Sequence, residues 1–547
     1  MVRRLTIALA VLAGAVLANI APRAQSELGT IDFPTSGSPA AQPSFLKGVL
    51  LLHSFEYDDA KEAFLEAQKA DPNFAMAFWG EAMTYNHPVW QQTAPDLAKA
   101  ALARLAPTPD ARLAKAPTPK EKDWLGSLDS LYGSGDKLTR DLAYADTMRR
   151  MHEKYPADDE VTAFHALSLL GTSHKGRDLS VYMRAAALVE RVYARNPQHP
   201  GAAHYLIHSY DDPIHAPLGL RFADAYSKIA PAASHALHMP SHIYFALGMW
   251  DEAVAVNERS HQAADARVAR RNLGVDDRGF HALLWTVYGY LQQGRQQDAR
   301  TILIQIEADA TKSGSVRTRS HLALARAAWV IETRKWADAK SPVQATGLGD
   351  DAVAADLFAV GFAALRSGNR AAANNALQAM AALAGEAPLD SHKVHGTQPQ
   401  VGLPAAGGGV DKRVPAVMAQ QLEAALLFTE GRREEALVLA RQAAVVEDSL
   451  SFEFGPPIPV KPAHELVGEL LMDLRRPKEA MPEFEAALKR TPKRALSLLG
   501  LGRAATAAKD QATARRAFGE LQKIWGRADK TLPELKELPH IPGSSLR

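Results

Sequence analysis

The sequence predicts an all-α protein, a right-handed α-solenoid (superhelix) built of stacked helix–turn–helix repeats. Three observations carry that expectation. Ala60, Phe64, Ala67 and Pro72 near one end share their spacing with Ala480, Phe484, Ala487 and Pro492 near the other. Pro197 and Pro231 stand 34 residues apart, the length of one helix pair. Nowhere do strand and helix periods alternate as a sheet-based fold requires, and 547 residues are too many for one compact core.

The segment EYDDAKEAFLEAQKADPNFAMAFWGEAMTY places those residues at positions 20, 24, 27 and 32 of one unit, and Phe78, Ala82 and Tyr85 at 4, 8 and 11 of the next. Near the C-terminus Leu498, Gly502, Ala514 and Phe518 carry the register onward, and GMWDEAVAVNERS, LQQGRQQDARTIL and RKWADA repeat its turns in between. On these residues the chain resembles exported bacterial tetratricopeptide-repeat (TPR) proteins over most of 45–526. The resemblance implies eight to ten units and says little about function. The expected order is a signal peptide at 1–24, a Pro/Ser-rich linker at 25–44, and an N-terminal solenoid at 45–385 with a Pro/Ala/Lys connector at 106–120. A Gly/Pro-rich loop at 386–416, a C-terminal block at 417–526 and a loose tail at 527–547 follow. The prolines of FGPPIPVKP delay the next helix until Ala463.

Composition narrows the partners. With 63 basic against 61 acidic side chains, the charge gives no reason to expect a nucleic-acid partner. Arg3 and Arg4 followed by the apolar stretch Leu5–Ile20 read as a secretory signal, with cleavage after Ala18 or Ala24. No second apolar run follows, so no membrane span is expected once the signal is removed, and the location is periplasmic or secreted. The absence of cysteine leaves imidazole, carboxylate or thioether to hold any metal.

The histidines follow the repeat. Counted from Pro197, His204 and His208 take positions 5 and 9; counted from Pro231, His235, His238 and His242 take 2, 5 and 9. On helix A of a TPR unit these positions turn away from helix B and line the concave groove. Two adjacent helices thus present i,i+4 imidazole pairs in one register. His204, His208, His238 and His242 are therefore the candidate ligands for Zn, Cu or Fe, Fe if a carboxylate such as Asp211 joins them. Asp211, Asp212, His235 and His281 are outer candidates. Pro240 leaves two readings: a kinked helix A, or one that starts at Ser241 and takes His235 and His238 off the shared face. Trp79, Asn86 and His87 form a polar–aromatic patch on the groove, and Glu465 with Glu469 a carboxylate pair one turn apart.

Phosphate loops, GxSxG elbows and HExxH helices are missing from the sequence, so no motif assigns catalysis, and any activity would be metal-dependent. The leading expectation is an exported scaffold whose histidine-rich groove binds a peptide, protein or small ligand. The alternatives are a metal-binding protein or metalloenzyme, and a cell-envelope assembly factor acting through protein contacts only.

Overall fold

The computed structural model describes residues 27–385 and 411–538. The expected signal peptide, residues 386–410 of the Gly/Pro-rich loop and the end of the tail lie outside the described residues. Among the described residues helices account for nearly all regular structure, with one two-stranded ribbon of Asn86–His87 and Gln92–Thr93. No described helix is long and apolar enough to cross a membrane.

Helix pairs follow one another along the chain, beginning with Gln42–His53 and Tyr57–Ala70 and ending with Ala495–Ala508 and Gln511–Ile524. The repeat register has a visible cause. Phe64 is fully buried on the second helix of the first pair, and a Cβ at Gly48 or Gly80 would lie 2.6 or 2.2 Å from its ring. Phe484 meets Gly468 and Gly500 in the same way, at 2.8 and 2.3 Å. In both places one aromatic side chain fits against glycine on its own partner helix and on the next, which spaces the fold as TPR units are spaced. Gly80→Ala is accordingly expected to lower stability by roughly 1–3 kcal/mol through overpacking, despite alanine's better helix propensity. At Gly126, where the nearest atom to an added Cβ is Leu113 Cδ2 at 4.0 Å, the same change is expected to stabilise by up to about 1 kcal/mol. Urea unfolding of the two variants checks this; equal midpoints would remove the packing explanation.

The chain divides into two compact units. The first holds the described residues of Met1–His174, Asp178–Tyr210 and Leu218–Pro240; the second holds Lys175–Arg177, Asp211–Pro217 and the described residues of Ser241–Arg547. The division thus falls at Pro240 and not at 386–416. Helices Asp350–Arg366 and Arg370–Ala384 pack directly on Arg413–Thr429, so the stack continues past the long loop.

In each unit the stack closes on itself. In the first, Thr30 N–H donates to Gln198 O at 2.9 Å, Ala232 N–H to Glu27 O at 3.2 Å, and Tyr226 OH to Ser54 Oγ at 3.2 Å. In the second, Trp250 Nε1 donates to Lys493 O at 3.1 Å, Ala495 N–H to Gln292 Oε1 at 2.9 Å, and Asp529 N–H to Gly294 O at 3.1 Å. The inner faces of the first helices are therefore filled with protein, where the sequence suggested an open groove.

Three segments differ from expectation for related reasons. The supposed linker at 25–44 is tied into the first unit: Phe33 is 3% exposed and packs on Phe45, Trp79 and Trp124. The connector at 106–120 contains a helix, Pro109–Lys115, capped by Thr108. The described part of the tail is held, with Asp529 N–H donating to Gly294 O at 3.1 Å and Leu532 buried.

Candidate metal centre

The first unit brings three imidazoles together. His204 and His208 lie one turn apart on Pro200–Tyr210, and His235 on the short helix Ser234–His238. One ring nitrogen from each lies within 4.8 Å of the others. Ring centroids are 4.9 Å apart for His204 and His208, and 5.1 Å for His204 and His235. His204 and His208 are fully buried and His235 is half-buried. Helix Pro200–Tyr210 reaches this position because Gly201 sits on the His53 ring, where a Cβ would be 2.3 Å from Nδ1.

Hydrogen bonding decides which nitrogen of His204 carries its lone pair. Its Nδ1 lies 2.7 Å from the backbone oxygen of His53. A carbonyl oxygen can only accept, so Nδ1 carries the proton and Nε2 the lone pair. Metal-bound histidines are held in this arrangement, with the far N–H given to a carbonyl or carboxylate.

A second cluster in the same unit, His53, Glu160 and His199, has its ligand atoms equally close but different chemistry. The backbone N–H of Ala202 donates to His199 Nδ1 at 3.1 Å, so His199 carries its proton on Nε2, 3.2 Å from Glu160 Oε1. His53 Nε2 lies 2.7 Å from Glu160 Oε2, and Tyr205 OH lies 2.8 Å from His53 Nδ1. The carboxylate is engaged by His53 at hydrogen-bond distance and by His199 at ion-pair distance. For His199 Nε2 to bind a metal while Nδ1 still accepts, the ring would have to become imidazolate. This cluster is a buried hydrogen-bond network.

Its titration follows from burial. Burial pushes the His53 imidazole down, against the pull of Glu160, and pushes His165 down to about 4, helped by His152. Burial alone would raise Glu160, but the two imidazoles outweigh it and hold the carboxyl at about 2. Histidines with depressed values bind fewer protons folded than unfolded, so their contribution is full above about pH 6.5 and is lost as pH falls toward 4. The Glu160 contribution is full above about pH 4.5 and is lost only toward pH 2. Thermal melts at pH 7, 6 and 5 are expected to show falling stability, with a shallower slope in His165→Gln. A flat profile would refute these assignments.

The other sequence candidates are distributed as follows. His238 is buried in the first unit, its ring 5.9 Å from that of His235. Helix A is interrupted at Met239, between Ser234–His238 and Pro240–Leu247. His242 belongs to the second unit, with Nδ1 2.8 Å from Asp211 Oδ2. Asp211 also pairs with Arg177, and Asp212 lies 2.9 Å from His215 Nδ1. The trio that converges in the first unit therefore contains His235 where the register suggested His238. His281, in the second unit, lies beside Trp285 at 5.3 Å.

Trp79, Asn86 and Glu465 are buried and do not line an open groove. Trp79 packs with Trp124 and Phe164 in the core. The His87 ring stacks on Tyr57 at 3.8 Å, and its Nε2 lies 3.1 Å from Thr84 O. Glu465 and Glu469 both accept from Lys461 Nζ at 2.9 Å, and Glu465 also pairs with Arg494 at 2.8 Å. The carboxylate pair thus belongs to a largely buried ion network.

Sequence reasoning missed Phe55, Glu56 and Trp90. Phe55 packs on His204 at 4.2 Å, His235 at 5.7 Å and His208 at 5.9 Å. Glu56 Oε1 accepts from Ser234 Oγ and from His235 N–H, both at 2.9 Å. Trp90, in the loop of the β-ribbon, meets the His235 ring edge-on at 5.7 Å.

Fold and site together define an all-α, TPR-like helical-repeat protein with an internal imidazole cluster. No family model matches the chain, and neither does any curated protein. Among solved structures, the Cut9–Hcn1 heterotetramer of APC/C aligns over 96% of this chain and 82% of its own, at 12% identity and a TM-score of 0.33. A human IFIT1 dimer with PPP-AAAA aligns over 92% and 94%, at 12% identity and a TM-score of 0.36. Yeast Tom70 aligns over 91% and 94%, at 12% identity and a TM-score of 0.28.

Proposed function

We propose that this chain is an exported helical-repeat protein that holds one divalent transition-metal ion on His204, His208 and His235. The supporting observation is the convergence of three ring nitrogens within 4.8 Å, with His204 held in the tautomer whose Nε2 carries the lone pair. Bond lengths of about 2.0–2.1 Å to each nitrogen put tetrahedral ligands roughly 3.3 Å apart, so the rings would close inward on a shared ion. An all-imidazole trio favours Cu²⁺ or Zn²⁺ over Fe²⁺. Within this unit Glu160 is engaged by two imidazoles and Glu56 by the start of a helix.

This reading ranks above a peptide-binding groove because His204 and His208 are 0% and 2% exposed, too buried for an extended peptide to lie across them. Function outside the cytoplasm rests on the N-terminal pattern. Elemental analysis after dialysis against Cu²⁺ or Zn²⁺ tests the site. About one equivalent per chain is expected on these ligands, lost in His204→Ala/His208→Ala; a double variant that binds as much as the parent would sink the proposal.

A further inference from the structure

The turn joining the first helix pair, residues 53–56, touches every member of the imidazole trio. His53 O accepts from His204, the Phe55 ring packs on all three imidazoles, and Glu56 holds the N–H of His235. Phe55 is itself anomalous. Its φ is +56°, in the left-handed region where a bulky side chain is strained. Equivalent turns later in the chain hold this conformation with glycine at Gly248, Gly294, Gly368 and Gly431, φ of +63°, +68°, +79° and +86°, and with exposed basic side chains at Arg475 and Lys509, φ of +57° and +62°. The first turn alone among these seven carries an aromatic ring, 7% exposed, directed onto the imidazoles. Glycine or an exposed polar side chain meets the backbone requirement at the other turns, so the repeat fold does not account for a buried aromatic ring here.

Building on the metal reading above, we infer that Phe55 is a positioning residue for the metal centre. Its ring forms one wall of the site and holds the planes of His204, His208 and His235 in a fixed orientation. Its backbone conformation aims the His53 carbonyl and the Glu56 carboxylate at the two helices that carry the ligands. The apolar wall also keeps water from one side of the ion, which strengthens the imidazole–metal interaction.

The test compares the full-length chain with Phe55→Gly and Phe55→Leu, each loaded with Cu²⁺. Circular dichroism establishes folding, competition with a chelator gives affinity, and electron paramagnetic resonance reads ligand geometry. Phe55→Gly is expected to bind Cu²⁺ about 10–100-fold more weakly, the range for loss of an outer support, with altered hyperfine splitting. Phe55→Leu, which keeps an apolar wall, is expected to lie between glycine and the parent. A residue important only for packing would lower the melting temperature and leave the spectrum of the folded protein unchanged. Parent-like affinity and spectrum in Phe55→Gly overturn the inference; if that variant does not fold, the same result in Phe55→Leu does so. A parent chain that binds no Cu²⁺ overturns the metal reading instead.

Discussion

Replacing His204 with alanine is expected to weaken Cu²⁺ or Zn²⁺ binding by at least about 100-fold, beyond the 10–100-fold typical for loss of an outer hydrogen-bond partner. The change removes a ligand nitrogen and the N–H given to His53 O. That buried carbonyl then lacks the partner that defined the tautomer, which costs an additional ~1–3 kcal/mol of stability. His208→Ala is expected to lose comparable affinity with a smaller stability cost. Glu160→Gln is the informative contrast. It sits in the neighbouring cluster, where the amide has one accepting oxygen for the two imidazoles. The variant is expected to be less stable by roughly 1–3 kcal/mol and still to bind one equivalent of metal at saturation. Titration calorimetry with parallel melts separates the two. If Glu160→Gln loses the ion while His204→Ala keeps it, the metal lies in the other cluster.

Arg494→Met is expected to produce the largest stability loss in the second unit, about 3–5 kcal/mol. Arg494 is fully buried; its Nε donates to Glu465 at 2.8 Å, its Nη1 to Tyr288 OH at 2.9 Å, and it also pairs with Glu332. Burial alone would raise Glu465, but Arg494 and Lys461 outweigh it and hold the carboxyl well below its usual range. Removing the guanidinium leaves two carboxylates in a closed interior with only Lys461 and neutral donors to compensate. Glu332, already raised by burial, then takes up a proton more readily. Urea unfolding monitored by tryptophan fluorescence measures the loss, and Arg494→Met/Glu465→Leu is expected to recover part of it. A loss under about 1 kcal/mol in the single variant would mean that apolar packing alone closes this stack.

Local features of the repeat were legible in the sequence. Phe64 and Phe484 announce the register because an aromatic ring between helices needs glycine or alanine at fixed offsets, and those offsets appear in a single chain. Pro462 delays a helix until Ala463, as observed. The 34-residue period correctly placed His204 and His208 on one face of one helix, because i,i+4 geometry is a local property.

Closure was not legible. Trp250 meets Lys493 across 243 positions and His53 meets Tyr205 across 152. No repeat period encodes contacts at such separations, and an ideal repeat predicts an open inner face. Once that face is filled, Trp79, Asn86 and Glu465 become core residues and the histidines an internal cluster. His235 enters the trio because helix A breaks before Pro240 and Glu56 anchors the start of the short helix, a contact 179 residues apart. The amino-acid order by itself determined helices, register and the inward direction of the histidine pair, since each depends on neighbours within two turns. Tertiary structure alone decided which imidazoles meet and which nitrogen carries the proton, because both depend on donors and acceptors supplied by distant segments.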